Sequence, residues 1–182
     1  MFVMDLNGQN NRQITRSAKS ESNARWLDNN TILFLSGGKL WRMDATGSEA
    51  EEIKGTDRPV SEFSLSPKRD RILFISNVKS GIKPTDRYPD LDKASGRIIN
   101  DLMYRHWDCF VEEIPHSFLA SFNGKSLDNV TDILEGLPYD LPTLPFGGIG
   151  ELCWSPDGTK IAYSCRKLTG VAYAVSTNTD IY

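Results

Sequence analysis

Histidine and cysteine, the side chains that most often bind metals or act as nucleophiles, are few in this sequence. The histidines are His106 and His116, and the cysteines are Cys109, Cys153 and Cys165. Because no Cys-x-x-Cys pair occurs, the spacing does not predict a zinc site, and we expect neither a metal nor another cofactor. Two interpretations of the cysteines stay open. We favour free, half-buried thiols, and the alternative is a disulfide between Cys153 and Cys165 if two strands place them opposite each other.

The overall composition is that of an ordinary globular protein. The 182 residues include 21 Lys and Arg, 24 Asp and Glu and 39% hydrophobic residues, which is enough for a core without disulfide or metal support. The basic residues are scattered, so nucleic-acid binding is not predicted. No apolar run approaches the roughly 20 residues that span a bilayer, and the first residues lack a signal-peptide pattern. We therefore expect a soluble chain without a membrane segment or a targeting sequence.

Three stretches of the sequence repeat the pattern apolar, turn, apolar. They are residues 24–34, 64–74 and 153–163. In the third stretch, Pro156 and Gly158 have the backbone preferences of a tight turn. Each stretch is therefore predicted to be a β-hairpin.

A second repeated element ends a short strand at a glycine. It occurs at Gly8, at Gly47 and, more loosely, at Gly124. A further short strand is predicted after each glycine, so that one unit contains four antiparallel strands. Units of this kind that recur about every 40 residues are typical of the blades of a β-propeller.

The segment 77–115 interrupts this spacing and is predicted to be an insert. Its apolar residues recur at helical spacing, with polar residues on the opposite face. These apolar residues are Ile98, Ile99, Leu102, Met103, His106, Trp107, Phe110 and Val111. Because Pro115 would end a helix here, we expect one amphipathic α-helix in the insert.

The predicted fold class is all-β, a partial β-propeller of four-stranded antiparallel blades with one α-helical insertion. The predicted units are a half blade at about 1–17, a blade at 20–56, a blade at 60–134 that carries the insert 77–115, and an incomplete blade at 150–182. Closed propellers have about 4–8 blades, so we expect an arc rather than a ring. The open blade edges of an arc favour self-association unless other chains cover them.

Two motifs resemble those of a known family. The run Trp-Ser-Pro-Asp-Gly-Thr-Lys-Ile-Ala-Tyr at 154–163 resembles the repeat of TolB-type propellers and of the N-terminal propellers of the prolyl oligopeptidase family of serine peptidases. The run Gly-Arg-Ile-Ile-Asn-Asp-Leu-Met-Tyr-Arg-His-Trp-Asp at 96–108, followed by Ile-Pro-His-Ser-Phe at 114–118, is more specific. It resembles dipeptidyl- or acylaminoacyl-peptidase-like members of that family, of the kind found in Bacteroides-like bacteria.

The resemblance implies a larger, periplasmic or secreted enzyme in which a C-terminal α/β-hydrolase domain holds a Ser-Asp-His triad. This sequence has no Gly-x-Ser-x-Gly nucleophile elbow, so we expect the chain to lack catalytic residues and to be inactive alone. The resemblance also implies that the propeller admits substrates and helps to bind the free amino terminus of a peptide. The implied partners are that amino terminus and the hydrolase domain.

By position, the resemblance assigns the binding of the amino terminus to Asp108, Glu112 and Glu113, with Trp107 as an apolar wall. A carboxylate suits this role, because an ammonium group taken out of water needs a charge partner and hydrogen-bond acceptors. The alternative for Glu112 and Glu113 is a solvated helix end. The alternative for Trp107 is packing of the helix against the propeller.

The leading functional prediction is a substrate-gating segment of a serine exopeptidase of the dipeptidyl-peptidase kind. Two alternatives stay open. The chain could be an independent TolB-like module for protein–protein interaction, although such a scaffold has no need of the insert 77–115. It could also be the remnant of a disrupted gene.

Overall fold

The computed structural model describes residues 1–182 and consists mainly of short antiparallel strands. The strands are β1 (Phe2–Val3), β2 (Arg12–Gln13), β3 (Glu21–Trp26), β4 (Thr31–Ser36), β5 (Lys39–Asp44), β6 (Glu51–Glu52), β7 (Glu62–Leu65), β8 (Arg71–Lys79), β9 (Arg105–His106), β10 (Cys109–Phe110), β11 (Glu113–Phe122), β12 (Leu127–Asp132), β13 (Leu152–Trp154), β14 (Ile161–Cys165) and β15 (Asp180–Ile181). The helices are α1 (Pro84–Arg87), α2 (Gly170–Val175) and a 3-10 turn at Ile149–Glu151. The predicted all-β class is confirmed, and no helix combines the length and apolar character that a membrane crossing requires.

Two four-stranded sheets form the body of the structure. The first sheet has the order β3-β4-β5-β6, and the second has the order β12-β11-β8-β7. The insert leaves the second sheet between β8 and β11, which pair antiparallel along their whole length. Strands β13, β14 and β15 form a third sheet, and β1 and β2 form an N-terminal pair. None of these sheets closes on itself, so the propeller and its blade boundaries stay predictions.

Three apolar cores lie between consecutive sheets. Strands β4 and β8 each contribute to two cores, because successive side chains of a strand point to opposite faces. Leu33 of β4 lies in the core between the first and second sheets, whereas Phe34 faces the N-terminal pair. In β8, Phe74 shares the core with Leu33, whereas Leu73 faces the third sheet. Burial on both faces explains why these strands are continuous apolar runs in the sequence.

Tight turns hold the strands in register. The turn predicted at Pro156 and Gly158 is present between β13 and β14, with Gly158 at a φ of 69°. Asp157 fixes this turn by accepting hydrogen bonds from Ser155 Oγ at 2.6 Å and from the Thr159 amide at 3.0 Å. These hydrogen bonds, with that of Ser155 the strongest, lower the pKa of Asp157 to about 2.

The first and second sheets are also joined at their outer strands. Lys54, just after β6, forms a parallel bridge with Ser126, just before β12. The Leu127 amide donates to the Lys54 carbonyl oxygen at 2.7 Å. Gly55 follows with a φ of 110°, and a Cβ at this position would lie 1.9 Å from the Leu127 carbonyl oxygen. Only glycine fits this close approach of two backbones.

The amphipathic helix that we predicted in the insert is wrong, and the α-helical insertion of the predicted fold class is corrected accordingly. Residues 97–111 form an irregular segment and a hairpin of β9 and β10. Met103 and Trp107 have φ angles of 60° and 48°, a left-handed conformation that a right-handed helix excludes. An isolated amphipathic stripe needs a surface to pack against, and no residue of 80–112 belongs to a core. The apolar residues stack on one another instead, as the Phe110 and Tyr104 rings do at 6.5 Å.

Candidate functional site

The insert encloses a cleft of about 660 Å³ lined by residues 80–85, 94–104 and 110–112. Short backbone contacts fix its walls. The Ser80 amide donates to the Glu112 carbonyl oxygen at 2.9 Å, and Ile82 forms an antiparallel bridge with Ile98 across the cleft segment. The local fold thus brings the beginning, the middle and the end of the insert together around one concave surface.

Glu112 places a carboxylate in this cleft. One oxygen lies 3.5 Å from Lys83 Nζ and the other lies 3.4 Å from Arg97 Nη2. Both distances exceed the roughly 2.7–2.9 Å of a charge-assisted hydrogen bond, so the carboxylate oxygens keep lone pairs for another donor. All three side chains are partly exposed, and such ion pairs contribute only about 0–1 kcal/mol. The two cations therefore orient Glu112 without saturating it.

Glu113 lies outside the cleft. It is the first residue of β11 and accepts a hydrogen bond from Asn77 Nδ2 at 3.3 Å. Glu112 contacts Lys83 and Arg97 whereas Glu113 contacts Asn77, so the two carboxylates have different surroundings. The interpretation of both as a helix end is wrong, because Glu113 begins β11 and Glu112 directly precedes it, whereas both residues are exposed to solvent as that interpretation expected.

Trp107 and Asp108 form the two-residue tip of the hairpin between β9 and β10. The Trp107 side chain does not pack against the sheets, since the residue is 74% exposed and its ring contacts only the ring of Phe146 among aromatic residues, at 5.7 Å between centroids. Asp108 Oδ1 accepts a hydrogen bond from Cys109 Sγ at 3.4 Å, which raises the pKa of that thiol. Neither tip residue lines the cleft, so the four predicted site residues do not form one cluster.

The two histidines have separate surroundings. His116 is buried in the second sheet, with Nδ1 2.8 Å from Asp132 Oδ2. His106 lies on the hairpin of the insert, with its ring edge-on to Tyr173 of α2 at 6.4 Å. The two imidazoles thus belong to different parts of the molecule.

The cysteines are free thiols, as we favoured. Cys153 pairs with Ala162 across β13 and β14, whereas Cys165 is buried in the core toward the second sheet. The alternative of a disulfide between them is therefore wrong. Burial raises the pKa of Cys165 to about 11, and Cys109 and Cys153 are exposed rather than half-buried.

The sequence reasoning missed three residues of this region, namely Lys83, Arg97 and Phe146. The two basic residues are distant from Glu112 in the sequence, and a helix would not bring either of them to it. Phe146 had a local signal, because an aromatic residue between Pro145 and two glycines is an unusual choice for a plain loop.

A second cavity, of about 700 Å³, lies beside Trp41 between the N-terminal pair and the first sheet, and no predicted site residue lines it.

Several known proteins with similar sequences are named dipeptidyl-peptidase 5. The chain is 44% identical over its whole length to the dipeptidyl-peptidase 5 of Porphyromonas gingivalis and 32% identical to that of Porphyromonas endodontalis, covering 27% of each. The dipeptidyl-peptidase 5 of Arthroderma otae is 28% identical over 80% of this chain, which covers 23% of that protein. No model of a protein family matches the chain. The chain is thus related to dipeptidyl peptidases and spans about a quarter of the length of these relatives.

Proposed function

Since the chain is related to dipeptidyl peptidases, we propose that it is the substrate-gating segment of a larger serine exopeptidase, and that its insert binds the free amino terminus of a peptide. In this proposal the enzyme is periplasmic or secreted, and an α/β-hydrolase domain elsewhere in the longer protein performs the catalysis. The observation that carries the proposal is the carboxylate of Glu112 in an accessible cleft. Identity of 44% over the whole chain with one such peptidase favours this function over an independent interaction module.

The proposal includes a β-propeller built from the consecutive sheets. Asn23 Nδ2 donates to the Phe63 carbonyl oxygen at 3.2 Å, which joins the first strands of the first and second sheets. Trp154 Nε1 donates to Ser64 Oγ at 3.2 Å, which joins the first strands of the second and third sheets. Consecutive sheets therefore lie close to each other along their first strands. This arrangement is expected of propeller blades, whose first strands surround a common axis.

The cleft offers the chemistry that a peptide ammonium group needs. An ammonium group carries three donors and one charge. Because Lys83 and Arg97 together carry two positive charges beside the single charge of Glu112, the ammonium group would bind by replacing one of these weak, exposed contacts. Leu102 and Phe110 line the same cleft and add apolar surface to it, and the Arg97 guanidinium lies over the Phe110 ring at 3.7 Å from its centroid. A fixed position for the amino terminus would set how many residues precede the bond that is cleaved.

The test compares two neighbouring carboxylates in the full-length enzyme. Glu112→Gln should raise KM about 10-fold or more for peptides with a free amino terminus, because it removes a charge-assisted hydrogen bond. It should change KM less than about 2-fold for the same peptides with an acetylated amino terminus. Glu113→Gln is the matched control, since Glu113 is adjacent and exposed but lies outside the cleft.

The result also distinguishes between the predicted carboxylates. Equal effects of Glu112→Gln on free and acetylated peptides would contradict the proposal. A larger effect of Glu113→Gln, or of Asp108→Asn, would move the binding site from the cleft to the other face of the strand or to the hairpin tip.

A further inference from the structure

The short helix α2 contacts the insert at two places. The Asp101 carboxylate lies so close to Gly170, the first residue of α2, that a Cβ on this glycine would overlap it. The His106 ring lies edge-on to the ring of Tyr173, with 6.4 Å between the centroids. Two parts of the insert that are separate from its junctions with the second sheet therefore rest on one helix. We refer to these two contacts as the α2 clamp.

Tyr173 fixes the position of α2. Because a helix of six residues is not stable by itself, its position depends on side-chain contacts with the rest of the chain. Tyr173 is the buried residue of α2, and its hydroxyl donates to Asp140 Oδ2 at 2.6 Å. The Arg166 guanidinium lies over the Tyr173 ring at 4.3 Å from its centroid. Burial, together with the hydrogen bond to Asp140, raises the pKa of Tyr173, so the hydroxyl stays protonated and serves as a donor.

Asp140 is the buried acceptor that anchors Tyr173. The residue is 4% exposed, and the oxygen that accepts from Tyr173 also accepts from the Leu144 amide at 2.9 Å. The second oxygen, Oδ1, has no hydrogen-bond partner. A buried polar group that loses one of few partners is costly, and hydrogen bonds to a carboxylate are stronger than those between neutral groups. The Tyr173 hydroxyl is therefore a strong link between α2 and the body of the structure.

The two sides of the Glu112 cleft are attached to the body differently. Ser80 directly follows β8 and Glu112 directly precedes β11, so this side is continuous with the second sheet. The side at 94–104 includes Arg97, which contacts Glu112, and Asp101, which contacts α2. The position of α2 therefore affects how far this second side lies from Glu112.

We infer that the α2 clamp sets the position of the cleft side at 94–104 relative to Glu112, and that Tyr173 is the positioning residue of the clamp. The consequence for a substrate rests on the proposed function, whereas the clamp is a property of the fold. If the clamp is released, residues 94–104 can move away from Glu112 without unfolding the sheets, since no residue of 80–112 belongs to a core. Binding in the cleft would then weaken.

Hydrogen–deuterium exchange of the full-length protein, followed by mass spectrometry, tests the clamp. Tyr173→Phe removes the hydroxyl and keeps the ring. Exchange in residues 97–111 should become about 3- to 10-fold faster, because local opening of the insert no longer breaks the hydrogen bond to Asp140. Exchange in β8 and β11 should stay unchanged. Tyr163→Phe, on β14 with its ring stacked on Tyr182, is the matched control.

A second variant acts on the other contact of the clamp. Gly170→Ala leaves Tyr173 and Asp140 in place and adds a methyl group where the Asp101 carboxylate lies. Gly136→Ala is its control, because Gly136 also has a positive φ, 74° against 56° for Gly170, but has no atom within 4 Å of an added Cβ.

The exchange data decide the inference. It holds if Tyr173→Phe or Gly170→Ala speeds exchange selectively in residues 97–111. It is overturned if neither variant does so, if the control variants have the same effect, or if exchange in β8 and β11 accelerates equally.

Kinetics of the full-length enzyme separate positioning from a general loss of structure. Tyr173→Phe should raise KM for peptides with a free amino terminus about 3-fold or more and change kcat less than about 2-fold. A merely structural role would lower kcat through loss of folded enzyme and leave KM unchanged. Glu112→Gln judges the proposed function separately, since it alters the cleft and leaves α2 intact. An effect of Glu112→Gln on KM without one of Tyr173→Phe would contradict the positioning role alone, whereas faster exchange in Tyr173→Phe without an effect of Glu112→Gln would contradict the proposed function alone.

Discussion

The paired sheets and the insert maintain their conformations by different means. In the sheets, β4 and β8 are covered on both faces, and Phe63, Phe74 and Leu33 are fully buried. In the insert, no residue of 80–112 is buried, and the chain is held by a few backbone hydrogen bonds, two exposed ion pairs to Glu112 and stacked rings. The sheets therefore provide the stability, and the insert can change with little effect on it.

This difference explains why the candidate site lies in the insert. A ligand needs accessible polar groups and exposed apolar surface, and a close-packed core offers neither. Regions with few buried contacts open locally at low free energy, so the insert is also the part of the chain that can adapt to a ligand.

The largest expected difference is between two phenylalanines. Phe74→Ala should destabilise the fold by about 3–5 kcal/mol, because the ring is fully buried and stacks on Phe118 at 5.3 Å. Phe110→Ala in the insert should change stability by less than about 1 kcal/mol, since that residue is 39% exposed. Urea unfolding followed by far-ultraviolet circular dichroism measures both variants. Similar losses would mean that the insert shares the stability of the sheets.

The next comparison concerns two glycines. Gly55→Ala should destabilise the fold by about 3 kcal/mol, because the added methyl group would meet the Leu127 backbone and force apart the outer strands of the first and second sheets. Gly96→Ala in the insert meets no atom within 4 Å and should be neutral or slightly stabilising, through lower entropy of the unfolded chain. Thermal unfolding of both variants is the measurement, and a neutral Gly55→Ala would refute the assigned backbone contact.

The same physical contrast explains how far the sequence could predict the fold. The runs 32–35 and 72–75 predicted strands correctly because burial on both faces leaves an uninterrupted apolar pattern, and Gly158 marked a turn that the structure contains. The insert has no core to impose a pattern. Its helical spacing of apolar residues was therefore not informative, and strands of two residues are too short to leave a period.

Only part of the candidate site could be predicted from the sequence, because most of its contacts join residues that are distant along the chain. Glu112 was named from the resemblance, and the structure places it in the cleft. Its neighbours Lys83 and Arg97 meet it only through the folded path of the insert, which no local pattern encodes. Phe146 approaches Trp107 from a different loop, and contacts of this kind depend on tertiary structure alone.

The smallest expected effect concerns the exposed turn between β13 and β14. The pKa of Asp157 is lowered from 3.8 to about 2 by hydrogen bonds that the ionised carboxylate accepts in the folded state. Ionised Asp157 therefore stabilises the fold above the unfolded-state pKa of 3.8, and this contribution is lost as the pH falls toward 2. As the pH is lowered from 6 to 2, the urea midpoint should thus fall less steeply in Asp157→Asn than in the wild type.

Asp92→Asn, which changes an exposed carboxylate of the insert, is the control and should follow the wild-type curve. Parallel curves for the wild type and Asp157→Asn would show that the turn is held by its backbone preferences rather than by the carboxylate.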